Sequence, residues 1–110
     1  MRLTRPEQQW LAAYRRVLQS LGPAVVERMV VYGSKARGDS GPDSDLDVIL
    51  IVANKAAGRK RDLRRRGYML AAETDVVPSI MAYTHEEWDV RKRCRSPFLR
   101  AVERDAVSVI

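Results

Sequence analysis

The chain has one cysteine, Cys94, and one histidine, His85, in 110 residues. A lone thiol excludes an intrachain disulfide, and this pair leaves no convincing ligand set for zinc. Aromatic residues make up 6% of the sequence, too few and too scattered for a base-stacking platform. No apolar run approaches the ~20 residues needed to cross a bilayer. The amino-terminal Met1-Arg2-Leu3-Thr4-Arg5-Pro6 passes into a polar helical pattern, not into the apolar segment of a secretory leader. Internal repeats and low-complexity linkers are missing as well. These absences predict a single domain over residues 1–110, soluble and cytoplasmic.

What the chain does have is concentrated in residues 30–52, VVYGSKARGDSGPDSDLDVILIV. Gly33-Ser34 ends one apolar run, ten residues follow, and Asp45-Leu46-Asp47 opens a second. Gly33, without a Cβ, allows a sharp turn and close approach of backbone N–H groups to a ligand. If Ser34-Lys35-Ala36-Arg37 forms a first helical turn, its free N–H groups suit a phosphate. Asp45 and Asp47, at i and i+2 on a strand, point to one face. Two carboxylates so close resist joint ionisation unless cations sit between them, and magnesium, which shares oxygen ligands with substrate phosphates, is the natural one. A phosphate cradle facing a carboxylate pair is the minimum equipment for metal-assisted nucleotidyl transfer. The bland reading is a Gly-Ser turn followed by a loop whose aspartates serve turns. Against it, Asp45 and Asp47 abut a strongly apolar strand, where unpaired carboxylates are a liability.

The pattern resembles the signature of the DNA polymerase β nucleotidyltransferase superfamily: Gly-Ser, ten residues, Asp-x-Asp. At ordinary residue usage it arises in about one unrelated chain of this length per thousand. The longer strings Gly33-Ser34-Lys35-Ala36-Arg37-Gly38 and Ser44-Asp45-Leu46-Asp47 are most similar to the minimal nucleotidyltransferases. Those are small prokaryotic proteins, commonly the antitoxin half of a pair with a helical HEPN-domain toxin. The resemblance covers nearly the whole chain.

Around this stretch the chain reads as an α/β domain. Thr4-Arg5-Pro6-Glu7 looks like a capping box, and Trp10, Leu11, Tyr14, Val17, Leu18 and Leu21 recur at helical spacing, predicting a helix over 6–20. Residues 25–32 and 47–52 read as strands, the second apolar on both faces and therefore central. If they are antiparallel neighbours, Ser34 and Asp45 meet at one edge of the sheet. Residues 55–73 hold a helix with Leu63, Gly67, Leu70 and Ala71 on one face, long enough for a right-handed crossover to a parallel strand. That strand is predicted to start near Asp75 and run to Met81, with Pro78 marking a free side or an irregularity. Its start places Asp75 near Asp45 and Asp47, matching the superfamily's third acidic residue, which ligates a metal and helps deprotonate the attacking hydroxyl; Glu73 competes for the role. Thr84-His85-Glu86-Glu87 and Ser96-Pro97 read as two further helix starts, the first leaving His85 exposed, and residues 105–110 as an added strand. The resemblance implies a nucleotidyltransferase fold, a mixed sheet of about four strands with helices mainly on one face.

The resemblance also implies the chemistry. Gly33 and Ser34 hold the phosphates of ATP, Arg37 or Lys35 neutralises them with the motif favouring Arg37, and Asp45, Asp47 and Asp75 hold two magnesium ions. An acceptor hydroxyl then attacks the α-phosphorus. The implied acceptor is a tyrosine of a cognate HEPN-domain toxin, silenced by AMP; small molecules, RNA ends, or neutralisation by binding alone remain alternatives. Charge points to one more surface. Residues 59–66 carry six cations and one anion, so without them the net charge falls from +6 to +1. That run is a solvated helix face or a surface for RNA or an acidic partner.

Overall fold

A computed structural model describes residues 1–39, 41 and 44–110. Helix α1, Arg5–Ser20, starts on the expected capping box: the Thr4 hydroxyl accepts from the Glu7 N–H, and Glu7 Oε1 accepts from the Thr4 N–H at 2.8 Å. It buries Trp10, Leu11, Tyr14 and Leu18. Strands β1 (Val26–Tyr32) and β2 (Leu46–Val52) pair antiparallel, joined through a short helix α2, Gly33–Arg37. A 3-10 turn, Asn54–Arg59, and helix α3, Lys60–Ala71, then carry the chain to β3, Pro78–Thr84, which runs parallel to β2. Helices α4 (His85–Cys94) and α5 (Pro97–Asp105) follow, capped by Thr84 and Ser96 as the sequence indicates, and β4 (Val107–Ser108) closes the order β3-β2-β1-β4. The mixed four-stranded sheet is the one expected.

The larger core lies between the sheet and α1 with α3, built on Met29, Val31, Val48, Leu50 and Leu63. A smaller one, with Val30, Ile49, Ile51, Trp88, Leu99 and Val102, lies on the opposite face under α4 and α5. Helices therefore cover both faces, the greater mass on one. Alternation along β2 assigns the rest: Leu46, Val48, Leu50 and Val52 face the larger core, so Asp47, with Ile49 and Ile51, faces the smaller.

Helix α3 crosses α1 at Gly67. A Cβ there would stand 2.5 Å from Ile80 Cδ1 and 2.7 Å from the Tyr14 ring. The Trp10 indole donates to the Gly67 carbonyl at 2.9 Å and the Tyr14 hydroxyl to the Leu63 carbonyl at 2.7 Å. Gly67→Ala is therefore expected to destabilise the fold by about 1–3 kcal/mol, the usual cost of overpacking, read as a lowered midpoint in urea. Leu70, expected on the buried face, is 37% exposed, off the line of Leu63, Gly67 and Ala71 that the helix buries.

Strand β3 is an edge strand and Pro78 is its first residue, where a missing N–H is tolerated. Further along that edge, the Tyr68 hydroxyl accepts from the Ile80 N–H at 3.0 Å, so the free side is partly closed to strand addition.

Candidate functional site

Two halves of the motif meet at Gly33. Tyr32 and Asp47 are register partners across β1 and β2, so Gly33, next after Tyr32, arrives beside the Asp47 carboxylate. Gly33 has φ +76°, and a Cβ at this position would stand 2.6 Å from Asp47 Oδ2. Only glycine meets both demands. The turn then tightens into α2, where the Ser34 carbonyl accepts from Gly38 and Asp39 N–H groups at 2.9 and 3.2 Å, with Gly38 left-handed at φ +83°. Ser40, Pro42 and Asp43 of the spacer lie outside the described residues.

Asp45 is exposed, one residue ahead of β2, and Asp47 is half-buried within it. Burial, and then the charge of Asp45, hold the Asp47 carboxyl above the ordinary carboxylate range. Tyr32 is pushed up to about 12, first by burial, then by the charge of Asp47. The pair thus stores repulsion that a cation relieves. Two carboxylates, completed by substrate phosphates and water, are an oxygen set that fits magnesium. Among the described residues no three His, Cys, Asp or Glu side chains gather as a metal cage.

The motif's cations are already engaged. Lys35 is buried against Glu7, 3.1 Å away, the residue that also closes the α1 cap. Arg37 bonds Asp105 at 2.9 Å and Asp39 at 3.1 Å. The Asp105 carboxyl is held below its usual range, first by Arg104 and then by Arg37. These pairs fasten α2 to α1 and α5. Arg37→Ala is expected to lower Tm by a few degrees as α5 loosens; a KM for nucleotide raised more than about tenfold would show a direct phosphate contact too.

The third carboxylate is placed differently from expectation. The chain leaves α3 through Glu73, at φ +67°, while Thr74 bonds back to the Ala71 carbonyl at 2.6 Å through its hydroxyl. Residues 73–76 are spent on ending the helix, so β3 begins at Pro78 and not near Asp75. Asp75 is exposed beside Pro6, Gln9 and Trp10 of α1, the helix that covers the opposite face. The structure brings Asp45 and Asp47 together and does not bring Asp75 to them. Ser79 is the register partner of Asp47 on β3 and shares its face. Pro78 carried that information, since proline favours the first position of a strand.

His85 is exposed, as expected, bridging Glu27 at 2.7 Å and Asp89 at 3.1 Å. On α3, Arg61, Arg64, Arg65 and Tyr68, spaced i, i+3, i+4, i+7, border one cavity of about 640 Å³. Arg64 Nε has no partner among the described residues.

The chain matches the nucleotidyltransferase domain family over residues 11–99. A crystal structure of a Sulfolobus solfataricus protein assigned as a nucleotidyltransferase is similar at 18% identity and a TM-score of 0.44, over 98% of this chain and 89% of that one. At that level the likeness adds nothing to the family match. No curated protein sequence matches the chain. Among the described residues no helix is long and apolar enough to cross a membrane.

Proposed function

The chain belongs to the nucleotidyltransferase domain family, and from that premise we propose that it transfers AMP from ATP to a tyrosine hydroxyl of a partner protein, a HEPN-domain toxin that the modification silences. The observation that carries the site is the Gly33 to Asp47 approach, where a Cβ would stand 2.6 Å from the carboxylate. Asp45 and Asp47 would hold magnesium, which when bound neutralises the charge gathering at the α-phosphorus. Gly33 leaves room for the phosphates beside Asp47, and Ser34 presents its hydroxyl at the same turn. The acceptor oxygen bonds to the α-phosphorus as the bond to the bridging oxygen breaks, and pyrophosphate leaves. The acceptor's proton passes to water as the new bond forms. Asp75 is assigned no step. Exposed apolar Met69 and Val77, at 64% and 61%, are surface that a partner protein would cover.

The test is intact-mass spectrometry of the purified HEPN-domain partner after incubation with this protein, ATP and magnesium. One added AMP on the partner supports the reading. A partner bound and inhibited without added mass replaces it with neutralisation by binding alone.

The α3 stripe favours a second, separate reading, contact with RNA, because guanidinium groups and an exposed ring line one face. Affinity for single-stranded RNA is expected to fall with salt at a slope of about −0.7 per phosphate contact, and to flatten when Arg61, Arg64 and Arg65 become Gln.

A further inference from the structure

A cavity of about 400 Å³ opens on the sheet face that carries Asp47, bounded by Met81 and Tyr83 of β3, Val90, Arg91 and Cys94 of α4, and Phe98 of α5. It is joined to the carboxylates through Tyr32, the register partner of Asp47. The Tyr32 hydroxyl lies 3.5 Å from Met81 Sδ, and its ring meets Phe98 edge-on at 5.9 Å. Along β3 the sequence of side chains on this face is Ser79, Met81, Tyr83, beginning beside Asp47. Each step is about 7 Å, so the cavity begins one step from the carboxylates, within the reach of a ribose and its base.

The walls are mostly apolar, and at the mouth Phe98 and Val90 are 40% and 43% exposed. The guanidinium of Arg91 lies 4.6 Å from the Tyr83 ring centroid, flattening that wall. Planar apolar surface with a stacked guanidinium is what a heteroaromatic ring packs against. The alternatives are worse placed. The cavities at α1, at α3 and beside Asp75 lie on or beyond the larger core. The one at Trp88, about 180 Å³, sits higher on the sheet between α4 and α5 and is ringed by Arg28, Lys92 and Glu103.

The geometry points to this cavity as the seat of the nucleobase of the triphosphate, a reading that rests on nucleotide binding at Gly33, Asp45 and Asp47. Among the described residues the lining offers three polar side chains, Tyr83, Arg91 and Ser96. The Ser96 hydroxyl already accepts from the Leu99 N–H at 3.1 Å, and the Tyr83 hydroxyl lies 3.9 Å from Met81 Sδ. The pocket therefore grips by area, holding purines better than pyrimidines and discriminating weakly between adenine and guanine.

Cys94, the chain's one thiol, lines the cavity and reports on it directly. Alkylation of the wild-type protein by iodoacetamide is followed with magnesium and either α,β-methylene-ATP or inorganic tripolyphosphate, which lacks a base, while calorimetry measures the binding of each. The expected result is that both ligands bind and only the nucleotide slows alkylation. Phe98→Ala is expected to weaken the nucleotide about fivefold, as loss of one aromatic contact does, and to leave tripolyphosphate unchanged. If both ligands bind and neither protects Cys94, the base lies elsewhere and the inference falls alone. If neither ligand binds, the phosphate site falls with it.

Discussion

Asp45→Asn with Asp47→Asn is expected to abolish nucleotidyl transfer, by at least about a thousandfold or ~4 kcal/mol of barrier, while leaving the protein folded. The two expectations have the same cause. In the free protein the carboxylates repel each other, and burial adds to the cost at Asp47, whose carboxyl sits above its usual range. A carboxylate raised in this way binds more protons folded than unfolded, so its contribution to stability falls as pH rises through the carboxylate range. At neutral pH the penalty is fully present. The double variant is therefore expected to melt no lower than the wild type, and somewhat higher, at pH 7, with the gap closing toward pH 4. Magnesium with nucleotide is expected to raise Tm of the wild type alone. A variant that loses activity because it unfolds would show the reverse order of midpoints.

Gly33→Ala carries the second large effect. At φ +76° an L residue is strained by about 1–2 kcal/mol, and the new methyl would stand 2.6 Å from Asp47 Oδ2. The carboxylate must move, and it is one of two that the proposed chemistry uses. Transfer is expected to fall about a hundredfold, the scale of a misplacement near 1 Å, with KM for nucleotide raised as well. Urea unfolding is expected to show a loss of about 1–3 kcal/mol. Gly38→Ala provides the comparison: its φ is +83°, yet its nearest neighbour is the Arg2 side chain at 3.9 Å. It shares the backbone strain without the collision, so it is expected to lose stability while keeping most activity.

The parts of this site legible in the sequence were local. Gly33, Ser34, Asp45 and Asp47 are recognisable because a turn residue and a same-face pair are set by spacing alone. The caps at Thr4, Thr84 and Ser96 were readable for the same reason, each bonding within three residues. What escaped depended on distance or on competition. Lys35 and Arg37 look like free cations beside a phosphate cradle, yet their partners Glu7 and Asp105 lie 28 and 68 residues away in sequence. Val76 and Val77 favour strand, yet β3 starts only at Pro78, as Thr74 uses its hydroxyl to end α3 and accepts from the Val76 N–H at 3.1 Å. The strand starts three residues later than expected, and its register sets Ser79 beside Asp47. The second core was hidden because α4 is mostly charged and offers the sheet essentially one residue, Trp88.

On the proposed reading, Gly33, Ser34, Asp45 and Asp47 bring a nucleotide's α-phosphorus to the carboxylate pair. The deciding measurement compares ATP labelled at the α-phosphate with ATP labelled at the γ-phosphate, each incubated with magnesium, this protein and the proposed HEPN-domain partner. Label from the α position on the partner, none from the γ position, and loss of the signal in the Asp45→Asn, Asp47→Asn variant is the expected outcome. Label arriving from the γ position, or α label that persists in the double variant, would contradict it.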